Sequence, residues 1–204
     1  MKVNKKKFLY LVSPNKVNKL FCKNLIQVLK LKKTSFFQLR LKKESFKNKI
    51  KIGNKLKRIC KKYKVKFLVN DDPLLAKKIN ADGCHLGQND MNINDAKKLL
   101  KNKMIGTTCH NSIKLAKKAI KDKVDYIAFG AFNSSKTKKV KFKAKTNLLK
   151  RVKKLTNIPI IAIGGINNLN YKKLLLNKAD FLAISGYIWN NKKLKPVDAV
   201  KKLK

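Results

Sequence analysis

Apolar runs of four to six residues recur along the chain, at 8–12, 36–41, 66–69, 83–86, 104–108, 126–129, 158–163 and 181–184. They are rich in β-branched and aromatic residues and bounded by turn-forming ones, the pattern of short β-strands. Lysine-studded stretches with helical spacing lie between them. In 112–120, Ile113, Ala116, Ala119 and Ile120 fall at i, i+3, i+6 and i+7, which predicts an amphipathic helix. Ser112 stands where an N-cap belongs. Residues 94–100 and 168–178 read the same way, the second with Leu174, Leu175 and Leu176 toward its inner face.

Eight strands alternating with about eight helices predict a parallel sheet buried on both faces. Eight such units close a ring, so the expected fold is α/β, a single (β/α)8 barrel spanning 1–204. An open doubly wound sheet is the alternative. It would use fewer strands and a glycine-rich first turn, whereas the turn after Val12 is Ser13-Pro14-Asn15. The polar stretch 133–146 reads as an extended loop after the sixth strand, placed to serve as a lid.

Composition narrows this picture. A chain of 204 residues suits one domain. No apolar run approaches the roughly 20 residues a membrane helix needs. The basic start is followed by only five apolar residues before Ser13-Pro14, too few for a signal peptide, so a cytoplasmic protein is expected. Four cysteines without a CxxC pair, and two histidines in all, argue for free thiols and against a zinc cluster.

The formal charge of +43 invites a nucleic-acid partner. Yet only Arg40, Arg58 and Arg151 of the 53 basic residues are arginine, the residue whose planar donors suit that task. The lysines spread along the whole chain beside many asparagines, isoleucines and phenylalanines, as an AT-rich genome would produce. They read as solvated helix faces whose field favours anionic small substrates. Neither a nucleic-acid nor a membrane partner is expected, and the pattern leaves room for a homo-oligomer.

In a parallel barrel the chemistry sits at the C-terminal ends of the strands. Strand 2 ends in Gln38-Leu39-Arg40-Leu41-Lys42, and alternation turns Gln38, Arg40 and Lys42 to one face, a cradle for a diphosphate. A salt-bridged barrel interior is the bland alternative. Strand 3 ends in Asn70-Asp71-Asp72, with Pro73 opening a helix, and strand 4 runs on to Asp90. Three of only ten acids thus fall at neighbouring strand ends, which suggests a magnesium site. Helix capping accounts better for Asp72 than for Asp71 or Asp90. His85, inside strand 4, reads as structural, and His110 equally as a base or a packed side chain. Ser134, Ser135, Lys136, Thr137 and Lys138 follow strand 6 and mix hydroxyls with ammonium groups, as phosphate loops do. Gly164-Gly165 after strand 7 and Ser185-Gly186 after strand 8 let backbone N–H groups approach a phosphate.

With these motifs in order, the sequence resembles thiamine phosphate synthase and the related thiazole tautomerase, from about residue 9 to 189. The carrying motifs are Gln38 to Lys42, Val69-Asn70-Asp71-Asp72, Ala81 to Asp90, Gly106 to His110, Ser135 to Lys138 and Ile163 to Ile166. The resemblance implies a transferase that joins hydroxymethylpyrimidine diphosphate to thiazole phosphate and releases pyrophosphate by a dissociative route. It implies that Gln38, Arg40, Lys42, Asn70 and Lys138 hold the pyrimidine diphosphate, with Arg40, Lys42 and Lys138 neutralising the leaving group. Asp71 and Asp90 would bind magnesium. Thr108 would lie near the pyrimidine, where the family often has serine. Ser135 and Thr137 would contact the thiazole, and Gly165, Ser185 and Gly186 its phosphate. Three departures stand out: Leu41 and Lys136 replace residues that are often acidic, and Tyr187-Ile188-Trp189 is bulkier than expected after strand 8. The tautomerase alternative would need neither metal nor Asp71, Asp90, Lys42 and Lys138 together, and would look to His110 for proton transfer.

Overall fold

The structure, a computed structural model, describes residues 7–134 and 141–204. Eight parallel strands pair in chain order and the eighth closes on the first. They are β1 (Leu9–Val12), β2 (Thr34–Leu39), β3 (Lys66–Asn70), β4 (Gly83–Leu86), β5 (Met104–Thr108), β6 (Tyr126–Phe129), β7 (Ile160–Ile163) and β8 (Phe181–Ile184). Around them run α1 (Lys19–Lys30), α2 (Phe46–Lys62), α3 (Pro73–Lys78), α4 (Ile93–Leu100), α5 (Ile113–Lys121), α6 (Asn147–Lys153), α7 (Tyr171–Leu176), α8 (Gly186–Trp189) and α9 (Pro196–Lys201). The expected (β/α)8 barrel is borne out. Among the described residues no helix is long and apolar enough to cross a membrane.

Strand alternation divides the buried side chains into two layers. Tyr10, Phe36, Leu68, Tyr126, Ile161 and Phe181 fill the barrel interior. Their neighbours Leu9, Leu11, Phe37, Phe67, Val69, Ile105, Ile127 and Leu182 point outward to the helices. The interior is packed by aromatic rings at angles to one another: Phe36 meets Phe181 edge-on at 5.0 Å and Tyr10 at 5.4 Å. Large rings leave no room for side chains everywhere. A Cβ on Gly106 would overlap the ring of Tyr126, so glycine is required there by space.

Three acids secure the bottom of the barrel. Asp82, Asp125 and Asp180 each immediately precede an even-numbered strand. Their carboxylates accept the N–H of Phe67, Ile105 and Ile160, the residues that start or nearly start the preceding odd strands, at 2.7–2.8 Å. Each also donates its own N–H to the carbonyl of that same residue. The clamps satisfy strand ends that have no ladder partner there.

Local signals set the helix starts. Ser112 accepts the N–H of Leu115 at 3.2 Å, as its position predicted. Asp72 accepts that of Leu75 at 2.9 Å, with Pro73 at the first helical position. Two expectations need correction. Leu176 faces solvent rather than the core, because α7 is a short helix whose buried side is Tyr171 and Leu174. And β2 ends at Leu39, so Arg40 and Lys42 lie beyond the pleat, and alternation cannot orient them. Side-chain bonds described below hold that segment instead. The residues after β8 form the one-turn helix α8. Its Trp189 donates from Nε1 to the Val12 carbonyl at 2.8 Å and packs edge-on against Phe21, which explains the bulk at this position.

Candidate active site

The ends of β2, β3 and β4 stand side by side, and their polar residues meet. Gln38 is buried at the end of β2 and donates from Nε2 to Oδ1 of Asn70 on β3 at 2.8 Å. Beyond β2 the Arg40 N–H donates to Oγ of Ser13 at 2.8 Å, and its guanidinium reaches Oδ1 of Asn15 at 3.3 Å. Leu41 turns into the core and Lys42 out of it, with Nζ 3.6 Å from the Asp71 carboxylate. Asp71 has a left-handed backbone (φ 63°), and its N–H donates to the His85 carbonyl at 2.8 Å. That tight turn swings the Asp71 carboxylate toward the end of β4. There Asp90 folds back to accept the Gly87 N–H at 2.6 Å.

The carboxyls of Asp71 and Asp90 act on each other electrostatically. The Asp90 carboxyl is held above the usual carboxylate range, first by desolvation and then by the negative charge of Asp71, against the pull of Lys42. A cleft of about 480 Å³ opens on the Asp71 side, between the ends of β2 and β3 and the start of α3, lined among others by Leu41, Lys42, Asn70, Asp71, Pro73 and Met91; Asp90 lies outside its lining. Asp72, expected as the weakest of the three acids, is occupied in capping α3.

At the end of β5, Thr108 is half-buried, and its Oγ1 meets His85 Nε2 at 2.8 Å. His85 Nδ1 meets the Tyr126 hydroxyl at 3.0 Å, which in turn meets the Tyr10 hydroxyl at 2.9 Å. His85 is thus engaged at both nitrogens, the structural role the sequence favoured. Burial drives its pKa down from 6.5 to about 4, so the ring is neutral at physiological pH. His110 stacks on the Phe142 ring at 4.3 Å. The four cysteine thiols are all buried, and burial pushes that of Cys109 up to about 12.

His85 makes the barrel acid-sensitive. Its folded pKa is below its unfolded one, so the unfolded chain takes up the proton first. The stability it supports is complete above pH 6.5 and is lost as pH falls toward 4. The loss is on the order of 3 kcal/mol across that window. Urea midpoints measured from pH 7 to pH 4 should fall steeply for this chain and more gently for His85→Gln. Equal slopes would assign the acid sensitivity to another group.

On the other side of β1, the ends of β7 and β8 form a second polar region. Gly164 and Gly165 both have positive φ (100° and 61°), and a Cβ on Gly165 would strike the Ser134 carbonyl and Asn133. Glycine is therefore required by conformation and by contact. Asn170 donates to the Gly165 carbonyl at 2.9 Å and fixes the turn. Ser185 Oγ donates to the Ser13 carbonyl at 3.4 Å, and α8 begins at Gly186. Ser13, almost fully buried, therefore touches both regions, Arg40 through its hydroxyl and Ser185 through its carbonyl. Of the expected site residues, Ser135, Thr137 and Lys138 lie outside the described residues. Those that are described lie at or beyond the C-terminal ends of their strands, Arg40 and Lys42 past the end of β2.

A closed (β/α)8 barrel with two polar clusters on its C-terminal face defines a small-molecule barrel enzyme, with cationic and acidic groups on one side and glycine turns on the other. Comparison with known proteins makes this specific. A family model described as "Thiamine monophosphate synthase" matches residues 9–188, and the chain belongs to that family. It is 67% identical to the thiamine-phosphate synthase of Pelagibacter ubique over the full length of both chains. It is 39% identical to that of Erythrobacter litoralis, covering 94% of this chain and 92% of the other. The thiamine phosphate pyrophosphorylase of Pyrococcus furiosus superposes with a TM-score of 0.85 at 25% identity, over 98% of this chain and 94% of that one. The expected transferase of the synthase kind is borne out.

Proposed function

We propose that this barrel joins a hydroxymethylpyrimidine, supplied as its diphosphate, to the ring nitrogen of a thiazole phosphate, yielding thiamine phosphate and pyrophosphate. The observation that carries the site assignment is the pairing of Asp71 with Asp90 beside Lys42, Arg40 and the Gln38–Asn70 pair. Two carboxylates brought together at neighbouring strand ends repel each other, and a cation between them relieves that repulsion. Their hard oxygens fit magnesium, which takes one or two carboxylates and completes its shell with waters and substrate phosphates. Among the described residues no group of three or more His, Cys, Asp or Glu side chains that could hold a metal occurs. Asp71 and Asp90 would hold the magnesium. When bound, magnesium supplies positive charge against the oxygens of the departing diphosphate.

The remaining roles belong to the chain itself. Gln38 and Asn70 orient the pyrimidine diphosphate, while Arg40 and Lys42 neutralise charge that grows on the leaving group. The C–O bond to the diphosphate breaks with its electron pair, and the aminopyrimidine spreads the resulting positive charge over its ring. The thiazole nitrogen then forms the new C–N bond at the exposed methylene. The turns at Gly165, Ser185 and Gly186 hold the thiazole phosphate on the opposite side of Ser13, so that the two substrates face each other. On the strength of the resemblance, Lys138 joins the diphosphate group, and Ser135 and Thr137 contact the thiazole. Thr108 lies at the pyrimidine. The protein acts as one barrel domain in the cytoplasm, a setting in which four free thiols persist.

The scheme needs no general base, and His85 is neutral and bonded at both nitrogens. His110, which an isomerase would use, is stacked on Phe142. Purified protein given both substrates and magnesium should release pyrophosphate and form thiamine phosphate in equal amounts. Isomerisation of thiazole phosphate without pyrophosphate release would overturn the proposal.

A further inference from the structure

The barrel interior contains one continuous line of polar hydrogen-bonding groups, Tyr10 hydroxyl, Tyr126 hydroxyl, His85 ring and Thr108 hydroxyl. It starts deep in the core, where Tyr10 and Tyr126 are both 2% exposed or less, and ends at the half-buried Thr108. The line crosses β1, β6, β4 and β5. It costs a polar file through an interior otherwise filled by Phe36, Leu68, Ile161 and Phe181.

Its direction follows from counting hydrogens. A neutral imidazole carries one N–H, and each of the three hydroxyls carries one O–H, so four hydrogens serve three hydrogen bonds. One hydrogen is left over. With all three bonds made, it can sit only on Tyr10, Tyr126 or Thr108. Among the described residues the Tyr10 hydroxyl meets only Tyr126, and the Tyr126 hydroxyl meets only Tyr10 and His85. A spare hydrogen on either would be a donor sealed in an apolar core without an acceptor, which proteins avoid. Thr108 is the one member that reaches the barrel mouth. So Tyr10 donates to Tyr126, Tyr126 donates to His85 Nδ1, and His85 Nε2–H donates to Thr108 Oγ1. The Thr108 hydrogen is the one left over, free for a partner outside the file. Gln88 holds the same residue in place by donating to its carbonyl.

We infer that this file fixes the Thr108 hydroxyl as a hydrogen-bond donor to an aromatic ring nitrogen of the substrate, with Tyr10, Tyr126 and His85 acting as positioning residues. The inference rests on the proposed function only in placing the pyrimidine at Thr108. It adds a rule of selection: a ring that presents a lone pair to Thr108 is accepted, and one that presents C–H or N–H there loses its bond and leaves a donor unsatisfied. A hydroxyl free to rotate would not discriminate in this way. The Tyr126 position does so from the far side of the histidine, without touching substrate.

Two measurements test it. Nitrogen NMR of the wild-type protein, with His85 and His110 distinguished through His110→Gln, should show His85 protonated at Nε2 and bare at Nδ1. The Nδ1–H tautomer or an imidazolium at neutral pH would overturn the direction of the file. The second is a double-mutant cycle in the synthase assay. Tyr126→Phe and Thr108→Val should each lower kcat/KM for the pyrimidine diphosphate by about tenfold, and the double variant by no more than either alone. Thr108→Ser, which keeps the hydroxyl, should restore activity to within about threefold of wild type. KM for thiazole phosphate should stay unchanged throughout. Additive losses, or full activity in Thr108→Val, would sink the functional claim. Either failure in an enzyme that still makes thiamine phosphate leaves the proposed function standing, whereas no product from wild type strikes that function itself.

Discussion

Asp90→Asn is expected to lower kcat for thiamine phosphate formation by about 10²-fold while leaving the fold intact. The change removes one of two carboxylates from the proposed cation site but keeps an oxygen for the Gly87 N–H that Asp90 now accepts. Stability should hold or rise slightly, because the repulsion from Asp71 that helps raise the Asp90 pKa disappears. A metal ligand supplies charge where charge develops, so the loss should fall on kcat, and the magnesium concentration for half-maximal rate should rise. Steady-state kinetics at several magnesium concentrations check this, with circular dichroism to confirm folding. An Asn variant as fast as wild type at low magnesium would remove Asp90 from the machinery and leave its contact with Gly87 as a loop fastening.

Gly106→Ala should destabilise the barrel by about 3 kcal/mol or more, because overpacking is costly where the neighbour cannot move. The added methyl would lie inside the Tyr126 ring. That ring is held by its bonds to Tyr10 and His85 and packed against Phe36, so it cannot swing away without opening the interior file. For a chain of this size the expected loss in Tm is about 10 °C. Gly53→Ala provides the contrast. There the new methyl would meet the far end of the Ile79 side chain, 2.8 Å away, which can rotate. A helix-interior alanine also gains about 0.5–1 kcal/mol over glycine, so Tm should change little. Thermal unfolding of both variants decides the matter, and equal shifts would contradict the packing argument.

The barrel was legible because each strand run is short, apolar and bracketed by turns, and because the run count matches a closed ring. Asp71 and Asp90 stood out since acids are scarce in so basic a chain. Other features were hidden for physical reasons. Tyr10, His85 and Tyr126 look like ordinary strand residues, and only the closed register brings them within hydrogen-bond distance across the barrel. Ser13 read simply as part of a turn, yet its buried hydroxyl takes the place of a strand ladder for Arg40. The pleat argument for Arg40 and Lys42 failed because the strand stops at Leu39. One signal was present and could have been used: Asp82, Asp125 and Asp180 each stand one residue before an even strand, a spacing that marks the bottom clamps. The large positive charge contributed little to the site. It lies mostly on exposed lysines, whereas the chemistry gathers where a few acids interrupt them.

The central claim is that the Asp71–Asp90 side of the barrel mouth uses a bound metal to release diphosphate toward a thiazole held on the Gly165–Ser185 side. Its most direct test is the initial rate of pyrophosphate release by wild-type protein with both substrates, measured across a magnesium titration and again with excess chelator. The account predicts saturable dependence on magnesium, one pyrophosphate for each thiamine phosphate, and a rate near zero under chelation. Product formed at an undiminished rate with the metal removed would contradict it.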